Sequence, residues 1–110
     1  MPCYTYAEEI EPVQKEGHSS RELIDVQHGA VKGYKIGLTE YTTEQYLKPG
    51  IHDDQEGFYV IAGEGWAKVG DEEFPIRPGS AFIAPKGIPH AVKKNPDSVP
   101  VKLVWSHGAI

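Results

Sequence analysis

Short apolar runs separated by turn residues fill the second half of the chain. The runs are rich in β-branched and aromatic residues, which favour strands, and glycine, aspartate and proline mark the turns between them. The predicted strands cover residues 58–62, 66–69, 73–76, 81–84 and 101–105, preceded by weaker alternating segments at 22–26 and 34–41. The pattern predicts an antiparallel all-β domain.

The strand that follows Glu56 is apolar in both of its phases. Phe58 and Val60 share the phase of Glu56 and should face the interior, whereas Tyr59 and Ile61 point the other way. A sheet face in contact with water would carry polar residues there. Tyr59 and Ile61 therefore lie either beneath the N-terminal segment or in a contact with a second chain.

The N-terminal segment has a different composition. Residues 8–21 are polar and include Pro12, Gly17 and the pair Ser19 and Ser20, which is typical of an arm or a loop. We therefore expect an N-terminal arm over residues 1–21 and a β domain over residues 22–110.

Length and charge exclude several classes of function. A chain of 110 residues with a net charge of −5 is long enough for one domain, and it argues against nucleic acid and anionic membranes as partners. Lysine and arginine form no cluster along the sequence that would indicate an anionic substrate. The start of the chain lacks the features of a secretory signal, so we expect a cytoplasmic protein. Its single cysteine, Cys3, excludes an intrachain disulfide and a multi-thiolate metal site.

Two short segments carry the candidate chemistry. The first, residues 50–56, contains His52 and Glu56, and the second, residues 85–90, ends at His90. Neutral imidazoles and a carboxylate are typical ligands of divalent transition metals, and three such ligands leave coordination positions open. Because the two histidines are far apart in sequence, only a fold that brings the chain back beside itself can build this site.

These segments resemble the two signature motifs of the cupin superfamily. His52, Glu56 and Gly63 match the later part of the first motif, although Glu44 stands where its opening glycine belongs. The second motif is matched by Gly79, Pro85, Gly87 and His90, with its final asparagine displaced by one position to Asn95. The resemblance, to small single-domain cupins, implies a double-stranded β-helix or jelly-roll barrel over residues 22–110. It also implies a divalent metal, Zn, Fe, Mn or Ni, in the barrel mouth, and a homodimer.

One ligand of the family pattern is missing. Gly50 stands where the first histidine of the family's pair belongs, so that His52, Glu56 and His90 remain as ligands. Asp54 lies two residues beyond His52 and could replace the missing ligand if the strand continues, but aspartate is also favoured in a turn. His107 shares the phase of Trp105 and is the rival candidate if the last strand extends that far.

The resemblance implies three classes of function. The first is a metal-dependent oxygenase, isomerase or lyase that acts on a small organic molecule. The second is a non-catalytic cupin that binds a small ligand such as a sugar, with or without metal. The third, a sensory domain of a regulator, is the weakest because no DNA-binding region accompanies the barrel.

Overall fold

The computed structural model describes residues 2–108 and contains nine strands and two short 3-10 helices. Met1, Ala109 and Ile110, at the ends of the two expected segments, lie outside the described residues. The helices are Ala7–Glu9 and Val26–His28. The strands are β1 (Val13–Lys15), β2 (His18–Ile24), β3 (Lys35–Tyr41), β4 (Gln55–Ala62), β5 (Gly65–Val69), β6 (Glu72–Ile76), β7 (Ala81–Ala84), β8 (His90–Lys94) and β9 (Val101–Gly108).

The strands form two antiparallel sheets. The larger has the order β1-β2-β3-β9-β4-β7 and the smaller has the order β6-β5-β8. Apolar side chains of both sheets form one buried core: Phe58, Val60, Ala67, Ile76, Ala84, Val92, Val101, Leu103 and Trp105. The all-β jelly-roll fold predicted from the sequence is confirmed.

The phase predicted for β4 is also seen in the structure. Glu56 and Phe58 are both buried, with 5% of each residue exposed. Tyr59 and Ile61 point outward and are 51% and 44% exposed. The N-terminal segment does not cover them, since β1 and β2 lie at the opposite edge of the sheet. The homodimer expected at this face stays a prediction.

The N-terminal segment contributes strands to the sheet. Pairing begins at Val13, and β2 runs antiparallel to β3 with His18 opposite Tyr41. Ordered strands therefore start before Glu22, where the sequence led us to expect the β domain to begin. The division into an arm and a barrel stays a prediction, but residues 13–21 form edge strands rather than a loop.

Close packing at Gly37 brings β3 against the core. A Cβ atom at this position would collide with the indole ring of Trp105. That indole donates a hydrogen bond from Nε1 to Thr39 Oγ1 at 2.8 Å, deep in the barrel. The absence of a side chain at Gly37 thus leaves room for the indole of Trp105, which lies two residues before His107 in β9.

Among the described residues, no helix is long and apolar enough to cross a membrane. The cytoplasmic location expected from the sequence stays a prediction.

Candidate metal centre

Strand pairing brings the candidate ligands together from separate parts of the chain. Glu56 lies near the start of β4 and pairs with His107 of β9. His90 begins β8 and forms an isolated bridge with Gly50, with both backbone hydrogen bonds at 2.9 Å. The carbonyl of His52 accepts a hydrogen bond from the N–H of Gly87, also at 2.9 Å. The two sequence motifs therefore meet at one end of the barrel.

His52, Glu56 and His90 form a compact donor group. Glu56 Oε1 lies 3.3 Å from His52 Nε2 and 3.3 Å from His90 Nε2. One ligand atom from each of the three residues lies within 4.8 Å of the others, close enough for a single ion. The three residues that the sequence suggested as ligands are thus brought together.

The donor group is largely shielded from water. The side chains of Glu56 and His90 are each 7% exposed, whereas that of His52 is 42% exposed. Within residues 2–108, the buried atoms Glu56 Oε1 and His90 Nδ1 have no hydrogen-bond partner. A buried carboxylate oxygen without a partner is costly, because it has lost its hydration without compensation.

Burial shifts the protonation of all three residues. It raises the pKa of Glu56 to about 7 and lowers the pKa of His90 to about 4, since both charged forms lose hydration. The pKa of His52 is also lowered, mainly by burial. The imidazoles are therefore neutral near pH 7 and have lone pairs available for a cation.

Asp54 lies outside the donor group and contacts His107 instead. Asp54 Oδ1 is 2.8 Å from His107 Nδ1, and His107 Nε2 is 3.2 Å from Glu56 Oε2. The last strand therefore continues far enough to turn His107 inward. The result is a chain of contacts from Asp54 through His107 to the second oxygen of Glu56.

Gly50 faces the donor group. A Cβ atom on Gly50 would lie 3.0 Å from His90 Nε2 and 3.6 Å from His52 Nε2. The position thus corresponds to a fourth side chain around the site, as the motif alignment implied. Because the glycine has no side chain, that side of the donor group is open.

A large cavity leads to these residues. Its volume is about 950 Å³, and its walls include His52, Glu56, His90, His107 and Tyr41. Burial raises the pKa of the Tyr41 hydroxyl, which therefore stays protonated.

A family model described as "Cupin domain" matches residues 37–107, which is most of the chain. This chain belongs to the cupin family. It is 28% identical over 104 residues to an uncharacterized protein of Methanocaldococcus jannaschii, with 91% of this chain and 81% of that protein covered.

Solved cupin structures share the fold at low sequence identity. The polyketide cyclase RemF of Streptomyces resistomycificus has a TM-score of 0.75 and 22% identity, covering 94% of this chain and 77% of the cyclase. Hydroxypropylphosphonic acid epoxidase of S. wedmorenis has a TM-score of 0.81 and 16% identity, covering 96% of this chain and 58% of the epoxidase. A structure of the Fe(II) form of the epoxidase HppE has a TM-score of 0.77 and 15% identity, covering 96% of this chain and 59% of HppE. These likenesses establish the fold.

Proposed function

We propose that this cupin holds one divalent transition metal through His52, Glu56 and His90 and presents it to a small organic molecule in the cavity. The observation that carries the proposal is the position of Glu56 Oε1. This buried oxygen faces two imidazole nitrogens at 3.3 Å and has no hydrogen-bond partner among the described residues. Three inward-facing lone-pair donors suit a cation, and the two nitrogens and one oxygen suit Zn, Fe, Mn or Ni.

Asp54 serves this site as an outer partner. The sequence left it open whether Asp54 is a ligand or a turn residue, and its 2.8 Å contact with His107 Nδ1 supports a third role. His107 in turn holds Glu56 Oε2, so that Oε1 is the oxygen left for the metal. Carboxylate ligands are commonly oriented by such outer contacts, which raises metal affinity.

The metal and the residues of the cavity wall would have different roles toward a bound molecule. A divalent ion here would polarise a substrate oxygen or activate a bound water, as in an oxygenase, isomerase or lyase. Tyr41 keeps its proton because its pKa is raised by burial, so it can donate a hydrogen bond to a bound molecule. His107 lies beside the donor group, 3.2 Å from Glu56 Oε2.

A non-catalytic cupin that binds a small ligand is the second candidate. His52, with 42% of its side chain exposed, favours this alternative because one edge of the donor group lies open to water. Enzymes that form reactive intermediates usually exclude water from the site. The Fe(II) form of the epoxidase and the cyclase RemF, which share the fold, favour the catalytic alternative by analogy only.

A ligand screen with and without a chelator distinguishes the two candidates. Small organic acids, sugars and alcohols are tested for a rise in melting temperature of the Zn²⁺- or Fe²⁺-loaded protein, and each hit is then incubated and analysed by mass spectrometry. The proposal expects hits that depend on the metal, and a changed mass identifies an enzyme. Hits that persist unchanged in the presence of the chelator would support metal-free binding and contradict the proposal.

A further inference from the structure

Three lysines that are separated in sequence meet in the wall of the cavity. Lys15 ends β1, Lys32 lies in the turn before β3, and Lys35 is the first residue of β3. All three line the same cavity of about 950 Å³ as the donor group. The sequence showed no basic cluster, since only the pairing of β1, β2 and β3 brings these positions together.

The register of the sheet places Lys35 in one row with the site. Glu56 pairs with His107, and His107 pairs with Lys35 across the next strand. Directly paired residues project to the same face of a sheet, with neighbouring Cβ atoms about 5 Å apart. Lys35 therefore lines the same side of the cavity as His107 and Glu56.

Most acidic groups of the cavity wall are already engaged. Glu22 Oε1 lies 3.4 Å from Lys35 Nζ, and Asp54 contacts His107. Glu56 belongs to the donor group, which leaves Asp53 as the acidic lining residue without an ion pair within residues 2–108.

The basic groups are less engaged. Within residues 2–108, neither Lys15 nor Lys32 forms an ion pair within 4.0 Å. Lys35 pairs with Glu22, but both side chains are nearly half exposed, so this contact is weak and an anionic ligand can compete for Lys35. The cavity wall thus carries two ammonium groups, those of Lys15 and Lys32, that an anionic ligand could neutralise. Unpaired cationic groups in a cleft attract anions.

We infer that the ligand of this cavity is a small organic anion with an oxygen-bearing group at each end. One end occupies the open positions at the donor group, and a carboxylate or phosphate at the other end pairs with Lys35 and Lys32. The inference rests on the proposed function, because the first end requires the metal. Charge-assisted hydrogen bonds to lysine supply specificity for the second end.

The test is calorimetric titration of the Zn²⁺-loaded protein with succinate, glutarate, adipate and phosphoglycolate. Glutaramide serves as the uncharged match for glutarate. We expect at least one of the anions to bind while glutaramide does not, and the preferred anion distinguishes a carboxylate from a phosphate at the lysine end. Added salt should weaken the binding, because exposed lysines contribute to it.

Lysine variants test whether Lys35 and Lys32 bind the second anionic group of the ligand. Lys35→Gln and Lys32→Gln should each weaken the best anion roughly tenfold, which is the usual worth of one charge-assisted hydrogen bond. Lys102→Gln is the matched control, because Lys102 sits in β9 of the same sheet but out of phase with the inward-facing Leu103. Its affinity should match that of the wild type.

The outcomes separate this inference from the proposed function. If the wild type binds Zn²⁺ but none of the anions at millimolar concentration, or binds glutaramide equally well, the anion assignment is wrong. Unchanged affinity in the two lysine variants would overturn it as well. If the wild type binds no metal, the proposed function is wrong, and so is the inference that the ligand bridges the metal and the lysines.

Discussion

Burial of the Glu56 carboxyl makes the stability of the metal-free protein depend on pH. Burial raises its pKa from 4.5 to about 7, so the folded state favours the protonated carboxyl more than the unfolded state does. The contribution of Glu56 to the stability of the metal-free protein is therefore lost as the pH rises from about 4.5 through about 7. His90 acts in the opposite direction, because its pKa is lowered to about 4 and its contribution to stability is lost as the pH falls.

Glu56→Gln isolates the contribution of the carboxyl. With a chelator present, we expect this variant to be more stable than the wild type by about 2 kcal/mol at pH 8, because glutamine cannot ionise. At pH 4.5 the difference should be small. Urea denaturation at both pH values measures it. Glu64→Gln, at an exposed turn, is the control. Equal stability of Glu56→Gln and the wild type at pH 8 would show that the ionised Glu56 carboxylate does not destabilise the metal-free protein.

Gly50 controls the space beside His90. A Cβ atom would lie 3.0 Å from His90 Nε2, which is closer than most side-chain contacts, so His90 would have to move. We expect Gly50→Ala to weaken Zn²⁺ binding roughly tenfold, as displacement of a supporting contact usually does. The same crowding acts against Gly50→His, although that change restores the family pattern.

Competitive titration with a chromophoric chelator measures the affinity of Gly50→Ala. Gly57→Ala is the matched control, because its Cβ atom would meet only Ser106 Oγ at 3.6 Å. Tighter Zn²⁺ binding by Gly50→Ala would show that the described position of His90 is not the one in which it binds the metal.

At the scale of elements, the length of β9 decides the surroundings of Glu56. Because β9 extends through Gly108, His107 reaches both Asp54 and Glu56. We expect His107→Ala and Asp54→Ala each to weaken Zn²⁺ binding 10- to 100-fold, which is the usual effect of losing an outer contact. The double variant should lose little more, because the two residues act in one chain.

Ser106→Ala is the control for these variants, since Ser106 is adjacent in β9 and out of phase with His107. Additive losses in the double variant would indicate that Asp54 acts independently, for example as a ligand. Unchanged affinity in both single variants would remove the two residues from the site.

The strands after Glu56 could be predicted because their inner positions are apolar. Phe58, Val60 and Leu103 all pack in the core, and glycine turns separate the runs. Of β2, only the end, residues 22–24, could be recognised in this way. Its inner positions Ser20 and Glu22 line the polar cavity, so the strand lacks an apolar phase.

The candidate site was predictable only where a local motif defines it. Motif spacing marked His52, Glu56 and His90, whereas strand phase alone suggested His107. The contact between Asp54 and His107 joins residues 53 positions apart, and local sequence carries no signal for it. The same holds for the three cavity lysines, whose convergence depends on strand order.

At the scale of the whole molecule, the outer face of β4 and β7 exposes large apolar side chains. Tyr59, Ile61 and Ile83 of the adjacent β7 are exposed in the single chain, at 51%, 44% and 52%. We expect a homodimer at micromolar concentration by sedimentation velocity, and Ile61→Lys should shift it to monomer by burying an unpaired charge. Val99→Lys, in an exposed loop, should remain dimeric. A monomeric wild type would refute the dimer.

The most direct test of the central claim is elemental analysis of the wild type and of His90→Ala, purified without added metal. We expect close to one divalent transition-metal ion per chain in the wild type and a large loss in His90→Ala, while circular dichroism shows the barrel still folded. The fold should survive because its core does not depend on the metal. His28→Ala, whose ring contacts Asp25 away from the site, should keep its metal. Equal metal content in the wild type and His90→Ala, or none in either, would contradict the assignment.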